Sequence, residues 1–134
     1  MKINNKLTPE ILRIIDANCN RLKEAIRVVE DIARYRDNNK KIAKALKHLR
    51  HKARVDDLQL NLIDTRDSYG DVLKRSTASE MKRTNIQDII AANFKRAQES
   101  ARVLEEMFKL STHTLSANFK DIRYDLYQLE KKFQ

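Results

Sequence analysis

The polar residues of this chain that could do chemistry are arginines, lysines, two asparagines and a pair of aspartates. Lys and Arg total 28, and Asp67 and Asp71 lie close to the only glycine, Gly70. Guanidinium groups bind phosphate through parallel hydrogen bonds, and carboxylates are among the ligands that Mg²⁺ takes. The sequence has no glycine-rich phosphate loop, no Cys and His cluster with zinc spacing and no Ser-His-Asp set. This inventory favours binding of phosphorylated ligands together with magnesium.

Several of these polar residues belong to an internal duplication. Residues 15–35 recur at residues 90–110, displaced by 75 positions. Eight of the 21 positions are identical, whereas chance gives about one. The identical pairs are Ile15/Ile90, Ala17/Ala92, Asn18/Asn93, Arg21/Arg96, Glu24/Glu99, Arg27/Arg102, Val28/Val103 and Glu30/Glu105. A repeat kept only for packing should retain apolar positions, so the polar matches indicate a shared chemical role.

Both copies have the apolar spacing of amphipathic helices. At about 100° per residue, Asn18 points into the apolar stripe and Arg21 lies on its shoulder. Glu24, Arg27 and Glu30 then wind around the far side. A buried amide costs about 1–3 kcal/mol unless it is hydrogen-bonded. Asn18 is therefore either a ligand-binding residue or a partner in a structural hydrogen bond between helices.

Other polar residues of the first copy also have a structural interpretation. Arg27 with Asp31, and Glu30 with Arg34, have the spacing of i,i+4 ion pairs, each contributing about 0.2–0.5 kcal/mol. The largest basic cluster, residues 39–54, similarly reads either as an anion-binding face or as a solvated helix face. The sequence does not choose between these interpretations.

Capping signals place the first copy in a helical hairpin. Thr8-Pro9-Glu10 predicts the start of a helix that ends near Arg36, before a polar turn at residues 37–39. A second helix follows and is predicted to end near Leu60. Its residues 46–50 match residues 119–123 at an offset of 73, so the whole hairpin is repeated.

The second copy has its own capping signals. Thr77–Glu80 predicts a short helix, Thr84–Gln87 predicts the start of the repeated helix, and a last helix is predicted from about Thr112 to Phe133. The predicted fold is all-α, with a duplicated helical hairpin forming an antiparallel helix bundle with a pseudo-twofold axis. Residues 1–134 form one domain, with repeat units at about 8–61 and 84–134 joined by a polar loop at 62–83.

The amino-acid composition supports this fold class and limits the kinds of ligand that the protein is expected to bind. One Gly and one Pro in 134 residues argue against a strand-rich fold with many tight turns. The net charge of +9 suggests an anionic partner, but the basic residues are mixed with acids, which disfavours nucleic acid. No apolar run is long enough to span a membrane. A single cysteine, Cys19, and an N-terminus without a signal sequence predict a cytoplasmic protein.

Five strings, taken in order, resemble one known family along nearly the whole chain. They are IDANxNRxxEAxRVVEDIARY, KHLR, RDSYGD, AANFKRAQESARVLEE and RYDLYxLE. The family is the small, alternative hydroxymethylpyrimidine phosphate kinase of thiamin biosynthesis, which occurs alone or fused ahead of thiamin-phosphate synthase. Cys19 stands where the family usually has Leu, and Tyr69 where it usually has Pro. Neither departure removes a phosphate or metal ligand.

The resemblance implies ATP-dependent phosphorylation of 4-amino-5-hydroxymethyl-2-methylpyrimidine phosphate to its diphosphate. The nucleophile is itself a phosphate with a second pKa of about 6, so it is mostly dianionic at neutral pH and needs no strong general base. What the reaction requires is charge neutralisation and positioning of two polyanions. The expected ligands are the phosphorylated pyrimidine, ATP and Mg²⁺, and functional coupling to thiamin-phosphate synthase is expected.

Roles for individual residues follow from this resemblance. The predicted catalytic phosphate clamps are Arg21, Arg27, Arg96 and Arg102. The residues predicted to bind substrate or phosphate are Asn18, Glu24, Arg50, Arg66, Asn93, Glu99 and Arg123. Asp67 and Asp71 are predicted to hold magnesium. The sequence leaves open which Arg binds which ligand, whether one or both halves are active, and the oligomeric state, with a homodimer among the alternatives.

The main alternative function is a non-catalytic helical interaction module associated with thiamin-phosphate synthase. It would explain the bundle and the charge, but not why Asn and Arg recur on the inner face of both repeats. Synthase activity itself is disfavoured, because it requires a (β/α)₈ barrel of about 250 residues. A nucleic-acid binder would show steeply salt-dependent association, and the mixed charge pattern makes it the weakest alternative.

Overall fold

A computed structural model describes residues 6–55, 60–77 and 81–133, and it consists of helices joined by loops. The helices are α1 (Pro9–Asp31), α2 (Lys40–Lys52), α3 (Leu62–Thr65), α4 (Ile86–Met107) and α5 (His113–Lys131). A π-helical turn, Ile32–Arg36, extends α1, and a 3₁₀ turn, Phe108–Leu110, extends α4. The described residues include no strand, so the prediction of an all-α helical bundle is confirmed.

Each of the four long helices begins with a side-chain cap. Thr8 Oγ1 accepts a hydrogen bond from the backbone N–H of Ile11, with Pro9 at the first helical position, as the sequence predicts. The caps of α2, α4 and α5 are Asn39, Asn85 and Thr112. Asn38 precedes α2 with a φ of 50°, a left-handed conformation that Asn tolerates better than most residues. The first helical segment thus ends at the predicted polar turn.

Two helix boundaries predicted from the sequence differ from those in the structure, and one predicted short helix falls largely outside the described residues. Helix α2 ends at Lys52 rather than near Leu60. Helix α4 is capped by Asn85 rather than Thr84, because Asn85 Oδ1 accepts from the N–H of Asp88 while Asp88 Oδ2 accepts from the N–H of Thr84. The short helix predicted at Thr77–Glu80 falls largely on residues 78–80, outside the described part of the chain.

A continuous apolar core joins the two hairpins. Fully buried side chains come from α1, α2, α4 and α5, among them Leu22, Leu46, Leu104 and Leu126. Aromatic rings fill the second hairpin, where Phe108 stacks on Phe119 at 5.5 Å between ring centroids. Helix α1 makes its most extensive contacts with α4, and small residues such as Ala25, Ala97 and Ala101 are buried in these two helices. The two duplicated helices therefore pack side by side.

Each hairpin contains an equivalent buried ion pair. Arg50 donates from Nε and Nη2 to the two carboxylate oxygens of Glu30, at 2.8 and 3.2 Å. In the second hairpin Arg123 donates from the same two nitrogens to Oε1 of Glu105, at 3.2 and 2.9 Å. Both glutamates are about 95% buried or more. The expectation that Glu30 faces outward, toward Arg34, is therefore wrong: Glu30 turns inward because the partner helix supplies a guanidinium there.

Within the described part of the chain, no helix combines the length and the apolar character that a membrane span requires.

Candidate active site

A groove of about 940 Å³ is formed by side chains of the duplicated helices α1 and α4. Its lining repeats the duplication, because each helix contributes the same four kinds of residue. The matched pairs are Asn18/Asn93, Arg21/Arg96, Glu24/Glu99 and Val28/Val103. A pocket of 300–1,000 Å³ is typical of small-molecule sites. The groove therefore brings together six of the residues predicted from the sequence to bind ligand.

Arg21 and Arg96 are the groove's most distinctive polar groups. Both side chains are exposed, and neither guanidinium makes an ion pair or hydrogen bond with any residue that the structure describes. Two unpaired guanidinium groups on facing helices create a positive region that favours phosphate oxygens.

Asn18 and Asn93 have the same conformation in the two helices. Nδ2 of Asn18 donates to the carbonyl of Ile14 at 2.9 Å, and Nδ2 of Asn93 donates to the carbonyl of Ile89 at 2.8 Å. These bonds lie within each helix, so the predicted alternative of a hydrogen bond between helices is not what the structure shows. Fixing the amide nitrogen leaves the amide oxygen able to accept a hydrogen bond from a ligand.

A second cavity of about 810 Å³ adjoins the groove on the side of the loop 66–72. Asn18, Arg21, Glu24 and Arg96 line both cavities, so the two are contiguous at these residues. The rest of the second cavity is formed by the first half of α1 and by the loop. The loop predicted to carry the magnesium ligands therefore lines a cavity together with Arg21 and Arg96.

An ion pair holds this loop against α1. Arg66 donates from Nε and Nη2 to the two oxygens of Asp16, at 2.8 and 2.7 Å, which raises the pKa of Arg66. Asn20 adds a hydrogen bond to Asp16, and Arg13 Nη2 donates to the backbone carbonyl of Asp67 at 2.9 Å. Arg66, predicted to bind phosphate, is engaged with Asp16 and lines the cavity beside it.

The two aspartates of the loop each have one carboxylate oxygen committed to a local turn. Asp67 Oδ1 accepts from the N–H of Gly70, and Asp71 Oδ1 accepts from the N–H of Leu73. A Cβ atom at position 70 would overlap the Asp67 carboxylate, so a larger residue there would displace this side chain and its hydrogen bond to the backbone N–H of residue 70. Both carboxylates are exposed and keep a second oxygen for a ligand.

This donor set fits magnesium better than zinc. Mg²⁺ is usually bound through one or two carboxylates, with water and substrate phosphates completing the octahedron. Asp67 and Asp71 supply two carboxylates on one exposed loop that lines the cavity. No group of three or more His, Cys, Asp or Glu residues that could enclose a metal occurs in the described ranges. A magnesium ion held here would need a phosphorylated ligand to complete its shell.

Four predicted site residues do not line either cavity. Arg27 pairs with Asp31 at 3.2 Å, and Arg102 pairs with Glu106 at 3.0 Å and with the buried Glu105 at 3.4 Å. Arg50 and Arg123 are held by the buried glutamates of their hairpins. Hydrogen bonding to Glu30 raises the pKa of Arg50. Burial lowers the pKa of Arg123, but hydrogen bonds to Tyr127 and Glu105 together outweigh this effect, so the pKa of Arg123 is raised. The structure thus places these arginines in ion pairs away from the groove.

Sequence reasoning missed several residues that shape the site. Asp16 anchors the loop, and Arg13, Arg83 and Lys95 are among the residues that line the cavities. The sequence signal for Asp16 was its position next to the apolar stripe of α1. In the structure Asp16 is 5% exposed, and a carboxylate buried to this extent requires a cationic or hydrogen-bonding partner. That its partner is Arg66, 50 residues further along the chain, could not be read from local spacing.

Comparison with known proteins assigns a family to the chain. A model of the ThiD2 family matches residues 13–132. Among curated relatives, a protein named thiamine-phosphate synthase from Synechocystis sp. is 40% identical over 121 residues, which cover 90% of this chain and 35% of that protein. A protein of the same name from Rhodopirellula baltica is 37% identical, covering 93% of this chain and 34% of the relative.

The chain therefore spans about a third of the length of these relatives. No solved structure matches the chain. The family match confirms the resemblance that the five sequence strings indicated.

Proposed function

Because the chain belongs to the ThiD2 family, we propose that it phosphorylates hydroxymethylpyrimidine phosphate to the diphosphate, with ATP and Mg²⁺, in thiamin biosynthesis. The name shared by the relatives, thiamine-phosphate synthase, supports a role in that pathway. The observation that carries the proposal is the groove lined by both Arg21 and Arg96, next to a loop with two exposed carboxylates.

The chemistry of the groove suits this transfer. An oxygen of the acceptor phosphate attacks the γ-phosphorus of ATP, the bond to the β-phosphate oxygen breaks, and ADP leaves as the new anhydride forms. The acceptor is mostly dianionic at neutral pH, so the lack of a histidine or other strong base in the cavity lining is no obstacle.

The chain's residues would act on charge and position. Arg21 and Arg96 neutralise the transferred group from opposite helices, and the amides of Asn18 and Asn93 orient the substrate. Asp67 and Asp71 would hold magnesium, which when bound neutralises the nucleotide phosphates. Glu24 and Glu99 line the groove as acceptors for donor groups of the substrate.

A coupled assay tests the proposal. Purified protein is mixed with ATP, Mg²⁺ and hydroxymethylpyrimidine phosphate, and thiamin-phosphate synthase with thiazole phosphate is added to convert the diphosphate. Thiamin phosphate that forms only with both this protein and ATP is the expected result. No product, from a folded protein and a synthase active on authentic diphosphate, would reject the kinase.

In that case the better proposal would be a non-catalytic helical module that associates with thiamin-phosphate synthase. One observation favours it, since the curated relatives carry a similar segment within a protein of that name. Co-sedimentation of the chain with the separate synthase would then be the next measurement.

A further inference from the structure

The two sides of the groove are lined by equivalent residues, whereas the two ligands of the proposed reaction are different molecules. The pairs Asn18/Asn93, Arg21/Arg96 and Glu24/Glu99 give the two helices equivalent surfaces. A nucleotide triphosphate and a pyrimidine monophosphate differ in charge and in their need for a metal. Any assignment of ligands to the two sides must therefore come from residues that the duplication does not repeat.

The loop-anchoring residues are present only in the first repeat. At the offset of 75, Asp16 corresponds to Ala91, and Arg13 corresponds to Asp88. Asp88 is used instead to cap α4, through the N–H of Thr84. Only α1 can therefore hold the loop through these contacts, and the carboxylates of Asp67 and Asp71 lie on the α1 side of the groove.

The α4 side of the groove carries a cation, Lys95, at a position where α1 has an uncharged residue. Asn20, which supports Asp16 in α1, corresponds to Lys95 in α4. Lys95 is exposed and lines the α4 side together with Asn93 and Ser100, a side that has none of the loop's carboxylates. The loop-side cavity is lined by five carboxylates and four arginines, and the exposed carboxylates of Asp67 and Asp71 allow a divalent cation to enter together with a phosphate. The groove is lined by two glutamates and four cations, Lys95 among them, and this excess of cations favours a phosphate that carries no metal.

We infer that the loop-side cavity takes the magnesium–nucleotide and that the α4 side takes the metal-free phosphorylated acceptor. Arg21 and Arg96 line both cavities, so they lie where the two ligands meet and contact the phosphoryl group in transit. This assignment rests on the proposed kinase reaction. In this assignment the duplicated residues Arg21 and Arg96 contact both ligands. Residues that are not duplicated determine which ligand binds on which side.

Steady-state kinetics with two variants test the assignment. Asp71→Asn is expected to raise KM for Mg-ATP by roughly 10–100-fold and to leave KM for the pyrimidine phosphate within about twofold. Lys95→Gln is expected to do the reverse, raising KM for the pyrimidine phosphate by about tenfold or more, as for a lost hydrogen bond to a charged group. Matched controls are Asp64→Asn in α3 and Lys41→Gln in α2, exposed residues that line neither cavity.

Calorimetry separates binding from turnover. Each variant is titrated with Mg²⁺ and a non-hydrolysable ATP analogue, and separately with the pyrimidine phosphate, after circular dichroism has shown wild-type helix content. Asp71→Asn should weaken only the nucleotide and Lys95→Gln only the pyrimidine phosphate. Equal weakening of both ligands by either variant, or the reversed pattern, would overturn the assignment and leave the kinase intact.

Failure of the proposed function gives a different result. A wild-type protein that binds both ligands but forms no product would reject the kinase, while the calorimetric pattern would still decide the assignment. A wild-type protein that binds neither ligand would reject both.

Discussion

Four arginines of the duplicated segment are identical between repeats, yet the structure divides them into two kinds. Arg21 and Arg96 lie in the groove without a partner among the described residues, whereas Arg27 and Arg102 are neutralised by carboxylates on their own helices. A guanidinium that already donates to a carboxylate has fewer donors left for phosphate. Repetition alone therefore does not identify a ligand-binding residue, and the local partner must be known.

The first prediction follows from this division. Arg21→Ala or Arg96→Ala should lower kcat by about 10²–10³-fold, the loss typical when one group that stabilises transition-state charge is removed. Arg27→Ala and Arg102→Ala, although predicted from the sequence as clamps, should change kcat much less. The coupled thiamin phosphate assay measures all four variants under saturating substrates.

Helix content by circular dichroism is the control for these four proteins. If the Arg27 and Arg102 variants lost as much kcat as the Arg21 and Arg96 variants, the division of the arginines would be contradicted. Arg27 or Arg102 would then have to leave its ion pair to reach the ligand.

At the scale of elements, the ion pairs have two different structural roles. Glu30–Arg50 and Glu105–Arg123 join the helices within each hairpin, and their glutamates are buried. Asp16–Arg66 instead ties an exposed loop to α1. The first kind should govern global stability, and the second should govern the order of the candidate metal-binding loop.

The second prediction concerns the hairpin ion pair. Glu105→Ala should lower the free energy of unfolding by about 3–5 kcal/mol, because it leaves Arg123 largely buried without its partner. Glu105→Met combined with Arg123→Met should cost much less, since neither charge then remains. Urea unfolding measures both. Glu106→Ala is the control: Glu106 is half-buried and its ion pairs with Arg102 and Lys109 are open to solvent, so this variant is expected to change stability little. A double variant as unstable as the single one would show that packing, rather than charge, is responsible.

The third prediction concerns the loop. Asp16→Asn removes the charge that pairs with Arg66, so residues 62–75 should exchange amide hydrogens faster while the core helices keep their protection. Hydrogen exchange followed by mass spectrometry measures this, and Asp125→Asn, on the exposed face of α5, is the matched control. Unchanged exchange in the loop would mean that the Arg13 contact with Asp67 is sufficient to hold it.

At the scale of the whole molecule, local signals in the sequence predicted most of the fold. Caps such as Thr8 and Thr112 act on residues three positions away, so they can be read directly from spacing. The burial of Asn18 follows from helical periodicity alone. The second helix was predicted too long because its apolar pattern continues beyond Lys52 with no Pro or Gly to end it.

Ion pairs between residues that are far apart in the chain could not be predicted from the sequence. Glu30 has a suitable partner four residues away, Arg34, although the structure pairs it with Arg50 in another helix. Glu30 and Arg50 both recur in the duplication, as Glu105 and Arg123, but this recurrence does not by itself show that they are in contact. The pairing of Asp16 with Arg66 could not be read from local spacing either. The groove was predicted as a set of residue types, but the placement of the loop's two aspartates on one side of it, and of Lys95 on the other, depends on tertiary contacts.

The last prediction is that the duplicated hairpins unfold together. Leu22 of the first hairpin and Leu126 of the second are both fully buried in one apolar core, and α1 packs against α4 across the boundary between repeats. Leu22→Ala or Leu126→Ala should each cost about 2–5 kcal/mol, and each should reduce amide protection in both hairpins alike. Leu73→Ala, at an exposed loop position, is the control. If Leu22→Ala lowered protection only in α1 and α2, each hairpin would be its own cooperative unit. The groove would then lie between two independently stable bodies, and ligand binding could open or close it without unfolding either.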